Sequence, residues 1–217
     1  MGLGVAAWLA AGTCVAEAAG SLEGVVHVSE VVGGEAKPLD DNGNAVIFFT
    51  GFREAPVAGR EPKLTQKNKA FSERVLVVTQ GQTVAFPNQD GIHHNVWSKS
   101  EVKSFDLGLY KFPESHPVTF DKPGIVTVFC NIHPQMIATI LVLPNNKYAV
   151  TGADGAYAIE GIKPGEYAVY AWVEGAKPER KTVKIEEGKA TALDFNLALH
   201  RIPIRHLNKE GKPYEKY

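Results

Sequence analysis

Three residues with sulfur or imidazole donors crowd one short stretch: Cys130, His133 and Met136 in CNIHPQM. A thiolate, an imidazole and a thioether are a copper set. In such a set two imidazoles and a thiolate form a trigonal plane, and the thioether sits as a weak, long axial ligand. A second imidazole is therefore required, and residues 86–96, FPNQDGIHHNV, offer it as His93 or His94. Zinc is the rival ion, but it favours closed sets of Cys and His, or an open site with water, and has little use for methionine. Read singly, Cys130 is an inert buried thiol and Met136 a core filler. Met136 is the only methionine besides the initiator, and at these spacings the residues together point to one ion. Protein atoms would fill all four positions round it, which leaves no place for a substrate and argues against an enzyme. A fixed site that suits both copper oxidation states would instead exchange single electrons.

The elements that must position these residues are strands. From Leu22 to Leu143 short β-type runs (GVVHV, AVIFF, RVLVVT, TVAFP, HNVWS, SFDLGL, PVTF, GIVTVFC, MIATILVL) alternate with turn residues, the pattern of an antiparallel sandwich or barrel. In GIVTVFC the period-two rule puts Val126, Val128 and Cys130 on one face and Phe129 on the other. The next strand, MIATILVL, is apolar on both faces. The link between the two strands is so short that Cys130, His133 and Met136 fall at one end of the fold. Residues 51–72 are charged, Pro/Gly-punctuated and longer than an ordinary connection; they read as a solvated excursion, or as a partner-facing loop that could carry a short helix. After Pro144-Asn145-Asn146 a second β set follows (AYAI, EYAVYAW, KTVKIE, TALDFNL), with turns at Asp154-Gly155, Lys163-Pro164-Gly165 and Glu187-Gly188, and reads as a separate small sandwich. Residues 200–217 form a basic tail, flexible or laid over a domain.

The segments FPNQDGIHHNVWS and CNIHPQM resemble the cupredoxins, with a Cys130–His133–Met136 spacing similar to that of amicyanin rather than plastocyanin. With FDLGLYKF and TGADGAYAIEGIKPGEYAVYAW added, the chain resembles bacterial two-domain plastocyanin-like or methylamine-utilisation proteins. The resemblance implies an all-β chain: a cupredoxin Greek-key β-sandwich or barrel over 22–143, then a smaller transthyretin-like (carboxypeptidase regulatory-like) β-sandwich over 147–199. It also implies that His94, directly before Asn95-Val96, is the ligand histidine, so that one mononuclear type 1 copper is held by His94, Cys130, His133 and Met136. Asn95 is then expected to steady the Cys130 loop. His133 becomes the electron portal, framed by an apolar docking patch of Ile92, Ile132 and Pro134 for a weakly bound redox protein partner. Phe129 and Asn131 flank Cys130, without the adjacent histidine of multicopper enzymes. A copper-delivery protein without a dedicated electron-transfer role is the alternative, although it lacks the Met- or His-rich clusters of such proteins.

Composition agrees with export and excludes little else. Lys+Arg 23 against Asp+Glu 24 gives a net charge of -1, which offers no footing for nucleic acid. Residues 1–19 read as a signal peptide with an A-x-A cleavage site at Ala16-Glu17-Ala18, placing the mature protein in the periplasm or otherwise outside, with no stable membrane insertion after cleavage. Loss of Cys14 with that leader leaves Cys130 as a lone thiol that cannot form an internal disulfide. Asp40-Asp41-Asn42-Gly43-Asn44 has calcium-like composition but no downstream glutamate at loop spacing, and reads as a turn. The second sandwich carries no catalytic motif.

Overall fold

The computed structural model describes residues 18–200 and 207–214. All but the last two residues of the expected signal peptide, and the parts of the basic tail at 201–206 and 215–217, lie outside them. Every element among the described residues is a strand. In chain order these are β1 (Gly20–Val32), β2 (Glu35–Pro38), β3 (Val46–Thr50), β4 (Gln66–Lys67), β5 (Ala70–Phe71) and β6 (Val75–Thr79). There follow β7 (Gln82–Pro87), β8 (His94–Lys99), β9 (Ser104–Tyr110), β10 (Ser115–Phe120), β11 (Gly124–Phe129) and β12 (Ile137–Leu143). The last are β13 (Tyr148–Val150), β14 (Ala156–Ile162), β15 (Gly165–Trp172), β16 (Glu179–Ile185), β17 (Ala190–Ala192) and β18 (Phe195–Leu199).

One sandwich packs the sheet β6-β12-β11-β8-β9 against the hairpin-like pair β7-β10. Alternation drives it. Gln82, Val84 and Phe86 of β7 turn inward while Thr83 and Ala85 face out, and Val126 and Val128 of β11 are fully buried while Ile125 is exposed. These residues meet Leu76, Val78, Phe120, Ile140 and Val142 in one core.

The other sandwich differs from the expected division of the chain. β1 and β3 were expected to belong with the strands that end at Leu143; instead β1 pairs with β14, β17, β18 and β2, and β3 pairs with β13 and β15. The N-terminal strands thus complete the C-terminal sandwich, where Leu22, Val26, Val28, Ile47 and Phe49 share a core with Tyr157, Val169, Val183 and Phe195. Period-two patterning identifies a strand but not its partner. The deciding features are close approaches: a side chain on Gly24 would meet the Leu193 carbonyl, and one on Gly155 the Val26 carbonyl. The strand following Leu143 therefore begins not an independent domain but the second half of one already started. The two crossings between sandwiches run side by side, tied by Glu54 N–H to Pro144 O (3.1 Å) and by the Asn145 amide to Phe49 O and Phe52 O.

The apolar outer faces of β6 and β12 explain the contact between the sandwiches. Val75, Val77, Leu141 and Leu143 point away from the first core and pack on Val46 and Trp172 of the second sandwich, with Phe48 and Tyr148 at the margin. MIATILVL is apolar on both faces because it has a core on each.

Gly155 has φ +75° as well as no room for a Cβ. Gly155→Ala is expected to destabilise the second sandwich by about 2 kcal/mol or more, read as a lowered melting temperature.

Candidate metal centre

His94 opens β8, opposite Tyr110 of β9. Cys130 follows the last residue of β11 and is fully buried, on the face that also carries Val126 and Val128. The turn into β12 is held by Cys130 N–H to Met136 O (3.1 Å) and Met136 N–H to His133 O (3.0 Å). These two bonds fold the loop so that His133 returns over Cys130, while Met136 is fully buried at its end. His93 is exposed and His94 buried, so it is His94 that turns inward.

His94, Cys130 and His133 converge, with one donor atom from each within 4.8 Å of the others. The His94 and His133 Nδ1 atoms are 3.0 Å apart, and Cys130 Sγ lies 4.0 Å from the first and 3.6 Å from the second. Bonds of about 2.0 Å to imidazole and about 2.3 Å to thiolate, arranged in a trigonal plane, separate two nitrogens by about 3.5 Å and nitrogen from sulfur by about 3.7 Å. The observed triangle fits a small ion at its centre. Its donor set, two imidazoles and a sulfur with His94 and Cys130 fully buried, is that of copper more than of a hard cation.

Asp90, whose sequence context is that of an ordinary turn aspartate, completes the centre. Its Oδ2 lies 2.7 Å from His94 Nε2. A carboxylate there takes the Nε2–H and leaves the Nδ1 lone pair facing the sulfur, the usual way a protein fixes the tautomer and orientation of a ligating histidine. Asp90 is in turn held by the backbone N–H groups of Asn68 (2.7 Å) and Lys69 (3.0 Å). Burial pushes its carboxyl up, but the Lys69 amide, the His94 ring and the Asn68 amide outweigh it and hold the group below the usual carboxylate range. For His133, burial and the neighbouring His94 and Lys69 push the imidazole pKa down, against an upward pull from Asp90. A neutral ring is the form that can offer a lone pair to a metal.

The two amides that hold Asp90 come from the tip of the β4–β5 hairpin, where Asn68 and Lys69 both have φ +55°. Residues 57–61 are exposed, as a solvated excursion would be, but the second half of the 51–72 segment is anchored by Leu64, fully buried, and by bridges from Lys63 and Gln66 to Ala85 and Asn88, and no helix forms among its residues. Asn95, expected to steady the Cys130 loop, directs its side-chain amide to Asp106 Oδ1 (2.6 Å) and Gly108 O (2.9 Å) at a register shift between β8 and β9. It steadies β9 instead. The remaining histidines outside the leader and tail, His27 and His116, take no part in the cluster, nor do any of the acidic residues at 40–41, which hold a turn through Asp41 and Gly43.

His133 is partly exposed. Around this end of the molecule Ile92 and Pro134 are exposed and Ile132 partly so, and Leu109 and Phe112 are more than half exposed. The first three are legible in the sequence as neighbours of the ligand residues; Leu109 and Phe112 are not, because they belong to β9 and the turn after it, which only strand pairing brings beside His94.

Residues 123–198 match the family model for the carboxypeptidase regulatory-like domain. That span opens before β11 and so includes two strands of the sheet that carries the candidate metal centre. A search of curated proteins finds no match. Among solved structures the chain is similar to a copper-containing nitrite reductase from Thermus scotoductus SA-01, at 26% identity and TM-score 0.37 over 41% of this chain; it spans only 25% of the reductase. It is similar to a purple cupredoxin from Nitrosopumilus maritimus at 18% identity and TM-score 0.35, over 38% of this chain and 99% of that one. It is also similar to amicyanin from Paracoccus versutus at 22% identity and TM-score 0.36, over 44% of this chain and 96% of that one.

Asp90→Ala removes the carboxylate that orients His94 while leaving every candidate ligand in place. Copper affinity, measured by competition with a chelator, is expected to fall about 10-fold to 100-fold. An unchanged affinity would show that the carboxylate does not orient the ring.

Proposed function

We propose that this chain is an exported type 1 copper protein that carries single electrons between redox partners, with one ion held by His94, Cys130, His133 and Met136. The observation that carries this reading is the convergence of two Nδ1 atoms and one buried sulfur, from β8 and from the turn between β11 and β12, within 4.0 Å of one another. Copper bound there would supply a one-electron couple whose potential follows the axial ligand and the surroundings of the sulfur.

The chain's own residues perform the rest. β8 and β11 fix the two ends of the donor triangle, the backbone bonds of the 130–136 turn hold the sulfur and His133 in one arrangement, and Asp90 locks the His94 ring. Donors that cannot move need not reorganise when the charge of the ion changes. Met136, fully buried and therefore shielded from competing water, would supply the thioether donor that tunes the potential. His133, partly exposed, is the route out, and Ile92, Ile132 and Pro134 with Leu109 and Phe112 give a redox partner an apolar surface for a brief encounter. Among the described residues His94, Cys130 and His133 form the group of His, Cys, Asp or Glu that could hold an ion. No helix among the described residues is long and apolar enough to cross a membrane.

Addition of Cu(II) to the purified protein is expected to produce an intense visible band from thiolate-to-copper charge transfer, absent from Cys130→Ser. A colourless complex would refute the proposal. The role of the thioether has its own test: Met136→Leu is expected to keep the band and raise the reduction potential, because a donor that favours the oxidised ion is gone. Loss of the band on that substitution would mean that Met136 holds the loop rather than the metal. Fast Cu(I) transfer to an acceptor combined with sluggish electron self-exchange would identify a delivery protein instead.

A further inference from the structure

The basic C-terminal segment returns to the metal centre. Its described part, 207–214, is a compact turn organised by Asn208, whose side-chain oxygen accepts the N–H groups of Glu210 and Lys212 (3.1 and 2.8 Å) and whose backbone closes on Lys212 O (2.9 Å). From this turn three bonds reach the first sandwich. The Tyr214 hydroxyl donates to the backbone carbonyl of Cys130 (2.9 Å). Lys209 donates its backbone N–H to Asn131 Oδ1 (2.8 Å) and its ammonium to Asp106 Oδ2 (2.8 Å). Lys99 in turn donates to the Lys209 carbonyl.

We infer that residues 207–214 form an outer wall of the metal centre, in which Tyr214 and Lys209 are positioning residues that fix the Cys130–Asn131 turn and thereby set the potential of the bound ion. This inference rests on the copper reading above. Its physical content is twofold. First, the peptide joining Cys130 to Asn131 is pinned on both sides, at its carbonyl by Tyr214 and at the next side chain by Lys209. The sulfur is the ligand most sensitive to such a rotation, since it belongs to the residue whose carbonyl is held. Second, the same lysine holds Asp106, which accepts from Asn95, the neighbour of His94. One short segment therefore braces both the β11 end and the β8 end of the donor triangle, across more than eighty residues of sequence in the case of Tyr214 and Cys130.

The wall also alters the electrostatics. It covers the β11 end with a partly buried phenol and brings the Lys209 and Lys99 ammonium groups to that side. A drier, more cationic surround disfavours the more positive oxidised ion. Loss of the wall therefore lowers the reduction potential.

The test uses the full chain in a Cys14→Ser background, so that Cys130 is the only thiol, with three variants: truncation after His206, Tyr214→Phe and Lys209→Ala. Tyr214→Phe keeps the ring and removes only the hydroxyl, which guards against a variant that merely fails to fold. Voltammetry of the copper-loaded proteins should show a lower potential in the truncated chain, with smaller shifts in the same direction for the two point variants and a displaced charge-transfer band. In the metal-free proteins, labelling of Cys130 by a thiol reagent should accelerate on truncation by about tenfold, the equivalent of one lost hydrogen bond. A truncated chain whose potential, band and labelling rate all match the parent overturns the inference and leaves the copper reading intact. An unchanged potential with faster labelling also overturns it, because the segment would then shield the thiol without tuning the ion. If the parent protein binds copper without the band, the copper reading falls and the inference falls with it.

Discussion

Two imidazole Nδ1 atoms and a thiol sulfur lie within 4.0 Å of one another, with His94 and Cys130 fully buried and His133 partly so. A proton shared among such atoms is a weak tie, and in a flexible chain they would separate and hydrate. Their proximity has to be imposed by structure around them. Each donor is accordingly tied at a second point: His94 by Asp90 through the opposite ring nitrogen, Cys130 by its own N–H on Met136 O, and His133 by its carbonyl on Met136 N–H. The Asn68 and Lys69 amides that hold Asp90 carry the chain of constraint to a hairpin more than twenty residues upstream. The site is small, but the structure needed to keep it in place spans most of the first sandwich.

Rigidity at that end depends on β12 having cores on both sides. Ala138, Ile140 and Val142 pack inward with the strands that carry the donors, while Leu141 and Leu143 pack outward on Val46 and Trp172. The second sandwich thereby backs the strand that follows the metal loop. Arg74 adds a polar tie, donating to Glu174 across the boundary and to Ile137 O at the first residue of β12. A strand clamped on two faces cannot slide without emptying one core or the other.

The local parts of this arrangement were legible in the sequence. Cys130, His133 and Met136 stand within one turn, so their proximity follows from chain geometry. Alternation in GIVTVFC gave the facing of Cys130, and the double apolar face of MIATILVL announced two neighbours. What escaped was every feature that depends on which strand lies beside which. Asp90 looks like any turn aspartate until His94 is placed four residues on and the β4–β5 tip is folded down upon it. The 51–72 segment is charged and irregular, and only the burial of Leu64 and Gln66 reveals that it runs against β7. GVVHV and AVIFF read correctly as strands, yet alternation carries no address, and they close the later sandwich rather than the earlier one.

That placement makes the sandwich with the His94–Cys130–His133 cluster a guest threaded through its host. The guest's strands leave and re-enter at a narrow neck, where Glu54 meets Pro144 and Asn145 reaches back to Phe49 and Phe52. A host whose first strand needs its last for a partner cannot finish until synthesis has delivered nearly the whole chain. The guest has all its strands well before then. In a chain delivered from its N-terminus, the strands that carry the donor cluster would be in place while the half that frames them still waited for its final strand, and the 207–214 segment that covers the cluster would arrive last of all.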